Sequence, residues 1–264
     1  MSLSLAHELN AVSAIAYRDA IKYIKNPQRI VLSLLFPLIF IGALGGSLDA
    51  NIGESAGYSF VAFTMTGVFA QTIFSTVAQG IISLVQDREN NLTQELFVSP
   101  VARYSIILGK IFGEMLVASL QGIFILLLGA VLGVSLSLTQ VVGLLLAALV
   151  AGILGGAFGV VVVSLFTDSK FINQIFPLIF FPQFFLGGVF SPIKELPIYL
   201  KVISRALPLT YVVDFARNIF YRGLDEASLV VLYPLWIDAL VILGFTVLCL
   251  VLGTKRISRI EKEA

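Results

Sequence analysis

Long apolar runs recur along this chain, and few charges interrupt them. Runs long enough to cross a bilayer occur at Ile30–Leu48, Tyr58–Val85, Ile106–Val134, Val141–Phe166, Phe171–Phe190 and Leu229–Gly253. At 1.5 Å per residue, a hydrocarbon core about 30 Å thick takes about 20 helical residues. Only 12% of the 264 residues are charged and 58% are hydrophobic, with a mean hydropathy of +0.98. Soluble domains run near about 25% charged residues, so a soluble, core-rich fold is the weaker alternative. The expected class is an all-α polytopic membrane protein with six transmembrane helices, each satisfying its backbone groups internally.

Six spans place both termini on one side, and the cation distribution says which. With the ends cytoplasmic, the inside carries Arg18, Lys22, Lys25, Arg29, Arg88, Arg103, Lys110, Lys170, Lys255, Arg256, Arg259 and Lys262. The outside carries Lys194, Lys201, Arg205, Arg217 and Arg222, all in one loop. Twelve cations against five support cytoplasmic termini; the expected setting is a cell (inner or plasma) membrane. The chain reads as one transmembrane domain over 1–264. It comprises an interfacial helix (1–29), spans one to five (30–190), an outer segment (191–228), the last span (229–254) and a tail (255–264).

Residues 1–29 hold scattered charges rather than a basic start and a compact apolar run, so no cleavable signal peptide is expected. Arg18, Lys22, Lys25 and Arg29 fall at helical spacing, a basic stripe suited to anionic headgroups. Asn26-Pro27 should end that helix before the first span. The outer segment carries Leu196, Leu200, Ile203 and Leu207, then Val212, Phe215 and Ile219, on helical faces either side of Pro208. Two short amphipathic helices dipping into the outer leaflet fit this pattern, with a break at Gly187-Gly188 before them. Full spans do not fit, because Lys201, Arg205, Asp214 and Arg217 would be too costly at the bilayer centre. Asp214 and Arg217 can pair at i, i+3. Gly42/Gly46, Gly129/Gly133, Gly152/Gly156 and Gly155/Gly159 have the spacing that lets helices approach closely. Their density makes the fourth span a contact helix, within the fold or between protomers.

Catalytic chemistry finds no purchase in this sequence. The Gly109-Lys110 pair is followed by Ile inside a span, which no phosphate-cradling Walker A loop allows. Neither H-E-x-x-H nor G-x-S-x-G occurs. His7 is the single histidine and Cys249 the single cysteine, so neither a disulfide nor a His/Cys metal site is expected. A net charge of +1 gives no reason to expect nucleic acid. Lys110 and Glu114, at i, i+4 in the third span, read as a structural ion pair rather than a proton relay. Asp238 beside Trp236 reads as interfacial. Phe36, Phe40, Phe63, Phe69, Phe180, Phe181, Phe184 and Phe185 are candidates for an apolar substrate path, with lipid-facing filler as the alternative.

One short charged segment stands among the spans, "QDRENNLTQELFVSPVARYSIILGK" at residues 86–110. It resembles the cytoplasmic segment of ABC-2-type transporter permeases, the membrane half of ABC exporters. In that family a charged cluster leads into a short coupling helix that ends at (Ser/Thr)-Pro-x-x-Arg. The late segment "FFLGGVFSPIKELPIYLKVISRALPLTYVVDFARNIFYRG" resembles the family's second conserved region, with Ala206-Leu207-Pro208 where Asn-Pro is common. The resemblance implies a homodimer, or a heterodimer with a similar chain, served by two separate ABC ATPase subunits. Those subunits would hold ATP and magnesium, leaving this chain without a cofactor or an enzymatic site. It also implies coupling through Asp87, Arg88, Glu89, Thr93, Glu95, Leu96, Phe97, Ser99, Pro100 and Arg103. Asp168 and Lys170 would form a second contact, and Gly187, Gly188, Pro192, Pro208, Tyr211 and Arg217 an outer gate. The apolar interior leans the substrate towards drugs or lipids, with a polysaccharide or lipid-linked glycan next and an ion-coupled carrier last.

Overall fold

The computed structural model describes residues 5–89, 103–166 and 169–263, and every regular element among them is helical. α1 (Leu5–Ile24) leads to α2 (Pro27–Pro37), a π-helical stretch (Leu38–Gly45) and α3 (Gly46–Ala56). Then come α4 (Phe60–Glu89), α5 (Arg103–Val131), α6 (Leu138–Leu165) and α7 (Ser169–Leu186). A 3-10 turn (Ile193–Glu195), α8 (Ile198–Arg205), α9 (Pro208–Phe220) and α10 (Ala227–Val230) precede α11 (Leu235–Glu263).

Five stretches among the described residues are long and apolar enough to cross a membrane: Pro27–Asn51, Phe60–Ser83, Leu108–Val131, Leu138–Leu165 and Ala227–Arg256. The chain is therefore a multi-pass membrane protein. The sixth expected span forms α7, of 18 residues and so about 27 Å long. It is not among the five, because Lys170, Asn173, Gln174 and Gln183, with Pro177 and Pro182, dilute its apolar character.

Local chemistry sets the boundaries. Asn26 caps α2, its Oδ1 accepting from Arg29 N at 3.0 Å, and Pro27 takes the first turn, where its missing N–H costs nothing. Thus the expected break at Asn26-Pro27 is observed, with α1 ending at Ile24. Ser137 and Gln140 form a capping box at the start of α6, and Gln140 Nε2 also donates to Phe220 O at 2.7 Å. Pro37 closes α2, and the wider π-helical turns follow it directly. Of His7 only its place in α1 is described.

α4 is the hub: its spanning window is 94% buried inside the fold, against 17% for Pro27–Asn51. Phe63, Met65, Phe69, Ile73 and Phe74 of α4 pack with Ile125, Leu144 and Leu154 in the main core. The glycines of α6 explain the closeness of its approach. A Cβ at Gly155 would collide with Phe74 O, and one at Gly159 would lie 2.7 Å from Ala78 O. Gly152 meets Met115 of α5, so the glycines of the fourth expected span serve packing within the chain. Gly42 and Gly46, by contrast, face nothing within 4 Å.

Candidate functional site

A groove of about 780 Å³ opens between α2, the π-helical stretch, α4, α5 and α7. Its two walls differ in chemistry. On one side α4 presents Gln71, Thr72, Ser75, Thr76 and Gln79, two interleaved i, i+4 rows along one helical stripe. Gln71, Thr72 and Ser75 are buried, and Gln79 is exposed. Thr76 Oγ1 donates to Gln121 Oε1 at 2.7 Å, and Gln121 Nε2 donates to Tyr23 OH at 3.2 Å. Tyr23 OH lies 2.7 Å from Ser33 Oγ, so this polar chain joins α4, α5, α1 and α2.

The opposite wall is aromatic. Phe36 and Phe40 stand 4.2 Å apart between ring centroids, and Phe184 meets both, at 4.8 Å and 5.6 Å. Phe176 stacks on Phe180 at 4.0 Å, and Phe181 meets Phe185 at 5.0 Å. Phe36, Phe40, Phe180, Phe181, Phe184 and Phe185 thus line one groove. Phe63 and Phe69 do not: both are buried in the core, Phe63 beneath a guanidinium and Phe69 against Gly122. The polar stripe escaped the sequence reading, which attended to charges. The signal was present as Gln, Thr and Ser at helical period within an apolar run.

A second cavity, of about 840 Å³, lies between α6, α9 and α11. Of its polar lining, Gln140 is engaged on Phe220 O and Asn218 on Asp214 O, Tyr233 O and Asp238 Oδ2, while Ser135, Thr139 and the exposed Arg222 also face it. A mostly apolar wall remains for a ligand, so the first groove is the better candidate.

An ion-pair network closes one end of that groove. Lys110 Nζ lies 2.9 Å from Asp19 and 3.4 Å from Glu114, as the i, i+4 spacing predicted for the second partner. Arg18 pairs with Asp19 at 3.1 Å, and Arg29 approaches Glu114 at 3.6 Å. Gly80 of α4 makes room, since a Cβ there would collide with Glu114 Cγ. Arg18, Lys22, Lys25 and Arg29 are all exposed, but only Arg18 and Lys22 share α1; Lys25 follows its end and Arg29 belongs to α2.

The segment 191–228 does form two short helices, α8 and α9, after a turn at Gly188 with φ of 80°. That φ favours glycine. Pro192 leads the 3-10 turn and Pro208 begins α9. Tyr211 OH donates to Arg205 O at 2.8 Å. The expected Asp214–Arg217 pair is not made; each finds other partners. Asp214 accepts from Leu232 N and Tyr233 N, both at 2.7 Å, while Arg217 donates to Phe63 O and Val189 O at 3.3 Å. The Arg217 guanidinium sits 3.5 Å over the Phe63 ring. Burial pushes the Asp214 carboxyl up, against the two backbone donors, and lowers Arg217 to about 10, so Arg217 stays charged at neutral pH. Asp238, in the first turn of α11, is fully buried and accepts from Asn218 Nδ2 at 2.8 Å, while Trp236 beside it is exposed.

Of the expected coupling residues, Asp87, Arg88 and Glu89 end α4 and Arg103 begins α5. Lys170 is exposed in the first turn of α7. Thr93, Glu95, Leu96, Phe97, Ser99, Pro100 and Asp168 lie outside the described residues. Elsewhere Gly109 of α5 abuts Ile15 of α1, and Arg256 Nε of α11 donates to Ser164 O of α6 at 3.1 Å.

Residues 10–221 match the family model described as ABC-2 type transporter. The chain is 30% identical to Nodulation protein J of Rhizobium leguminosarum bv. trifolii over 188 residues, covering 69% of this chain and 70% of that protein. It is 26% identical over 235 residues to the Inner membrane transport permease YadH of Escherichia coli K12, covering 84% of each. A putative transport permease, ycf38 of Cyanophora paradoxa, is 27% identical over 204 residues, covering 74% of this chain and 69% of that one.

Proposed function

Because this chain belongs to the ABC-2 type transporter family, whose permeases normally pair with ABC ATPase subunits, we propose that it is the permease subunit of an ATP-driven exporter. Its substrate is hydrophobic or amphipathic, drug-like or lipid-like, taken from the cytoplasm or the inner leaflet. The observation that carries this reading is the groove with one polar and one aromatic wall. Such a pair of walls suits a molecule with a wettable side and an apolar side. A lipid-linked glycan is the second reading, favoured by the Gln, Thr and Ser stripe, whose amides and hydroxyls can both donate to and accept from sugar hydroxyls.

In this reading two copies assemble with two ATPase subunits, which hold ATP and magnesium while this chain hydrolyses nothing. The protein sits in the inner or plasma membrane with both termini cytoplasmic and α7 as a sixth, kinked span. The segment from Asp87 to Arg103, with Asp168 and Lys170, transmits ATPase closure. α8 and α9 lie partly in the outer leaflet as a gate, an arrangement favoured by the outward Ile198, Tyr199 and Val202 of α8. Reconstitution with its ATPase partner tests the proposal. Amphiphiles should stimulate ATP hydrolysis, and Phe181→Ala or Thr72→Val should weaken that stimulation. Transport by the chain alone, driven by a proton or ion gradient, would overturn it.

A further inference from the structure

We infer that the amphiphile carried in this groove bears an anionic head, held at the α1 end between Lys22 and Arg29. The inference rests on the groove being the substrate path. A smaller cavity of about 390 Å³ adjoins the groove, and both are lined by Arg29, Gln79, Phe176 and Pro177. The smaller one is the polar end of a continuous cleft. Lys22, Arg29 and Lys110 face it, with the carboxylates of Asp19 and Glu114.

Each carboxylate has a cation beside it, although Glu114 Oε2 is buried without a hydrogen-bond partner. Lys110 bridges the two, and Arg18 takes a second contact on Asp19. What remains is positive. Lys22 has no ion pair among the described residues, and Arg29 reaches Glu114 only at 3.6 Å with its side chain 44% exposed. A planar guanidinium with free donors beside a flexible ammonium suits a phosphate or carboxylate, through charge-assisted hydrogen bonds. Gln79 adds a neutral donor where the polar end meets the groove, and the aromatic wall next to it takes the chain.

The test uses the full-length permease with its ATPase partner in phosphatidylcholine nanodiscs. Four probes are titrated: dodecyl phosphate, dodecyltrimethylammonium, dodecyl maltoside and inorganic phosphate. Dodecyl phosphate should bind about tenfold more tightly than the cationic chain, and inorganic phosphate far more weakly than either. Lys22→Gln with Arg29→Gln should abolish that preference, and Lys22→Arg should retain it. Equal binding of the two charged chains would overturn the inference, as would a preference that survives in the double variant. Inorganic phosphate binding as tightly as dodecyl phosphate would also overturn it, by detaching the anion site from the groove. The neutral maltoside separates this from failure of the path itself. If its binding is insensitive to Phe181→Ala, the groove is not the path and both readings fall.

Discussion

Gly80 is a single residue on which four helices depend. With no side chain there, α4 admits Glu114 of α5, which then meets Lys110 and Arg29, while Lys110 meets Asp19 of α1. Gly80→Ala should displace Glu114 and cost about 1–3 kcal/mol as overpacking, read as a lower melting temperature in detergent. Adding Glu114→Ala should recover part of that loss, a coupling that independent sites would not show. Lys110→Met should cost more, about 3–5 kcal/mol, because it leaves buried Asp19 to Arg18 alone and buried Glu114 to Arg29 alone. Some of this network could be read in the sequence. Lys110 and Glu114 sit one helical turn apart, whereas Asp19 and Arg29 come from distant segments that only folding brings close. Asp214 and Arg217 show the opposite failure. Their spacing suited a pair, but the loop before α11 offered Asp214 two backbone donors, and Arg217 found carbonyls and a ring.

Between elements, close backbone approach decides the packing. α6 lies so near α4 that Gly155→Val should push the helices apart, with a sharp fall in the yield of folded protein. Val141→Ala, at the half-buried start of the same helix, should be far milder. Glycine density announced such a contact, and only the structure identified α4 as its partner. The spans were legible because apolar length is a direct consequence of bilayer thickness. α7 was harder, since its amides and prolines lower its mean hydropathy while its aromatic face still lines the groove. The polar stripe on α4 was overlooked for a related reason. Its amides and hydroxyls lower the mean hydropathy of the Phe60–Ser83 stretch to 1.5, below the other four spans, yet leave it apolar enough to cross, and their helical period was there to be counted.

For the molecule as a whole, the prediction concerns transmission. Arg88→Glu with Glu89→Arg should leave the permease inserted and ATP hydrolysis detectable while export falls severalfold. Unchanged export would remove this end of α4 from the coupling surface. The order of the charged segment and the outer helices was enough to indicate the family, which the match over residues 10–221 bears out. Which helices build the cleft was not readable, because residues as far apart as Arg29, Gln121 and Phe181 meet only through the fold. The contrast in burial between the hub and the first span has a mechanical meaning. The polar wall is carried by the most enclosed helix and works as a fixed rail. The aromatic wall rides on α2 and α7, far less enclosed in the single chain, so on the proposed transport reading a change in cleft width would fall to that jaw. On that reading a cargo would be released on its greasy side while its wettable side keeps its footing.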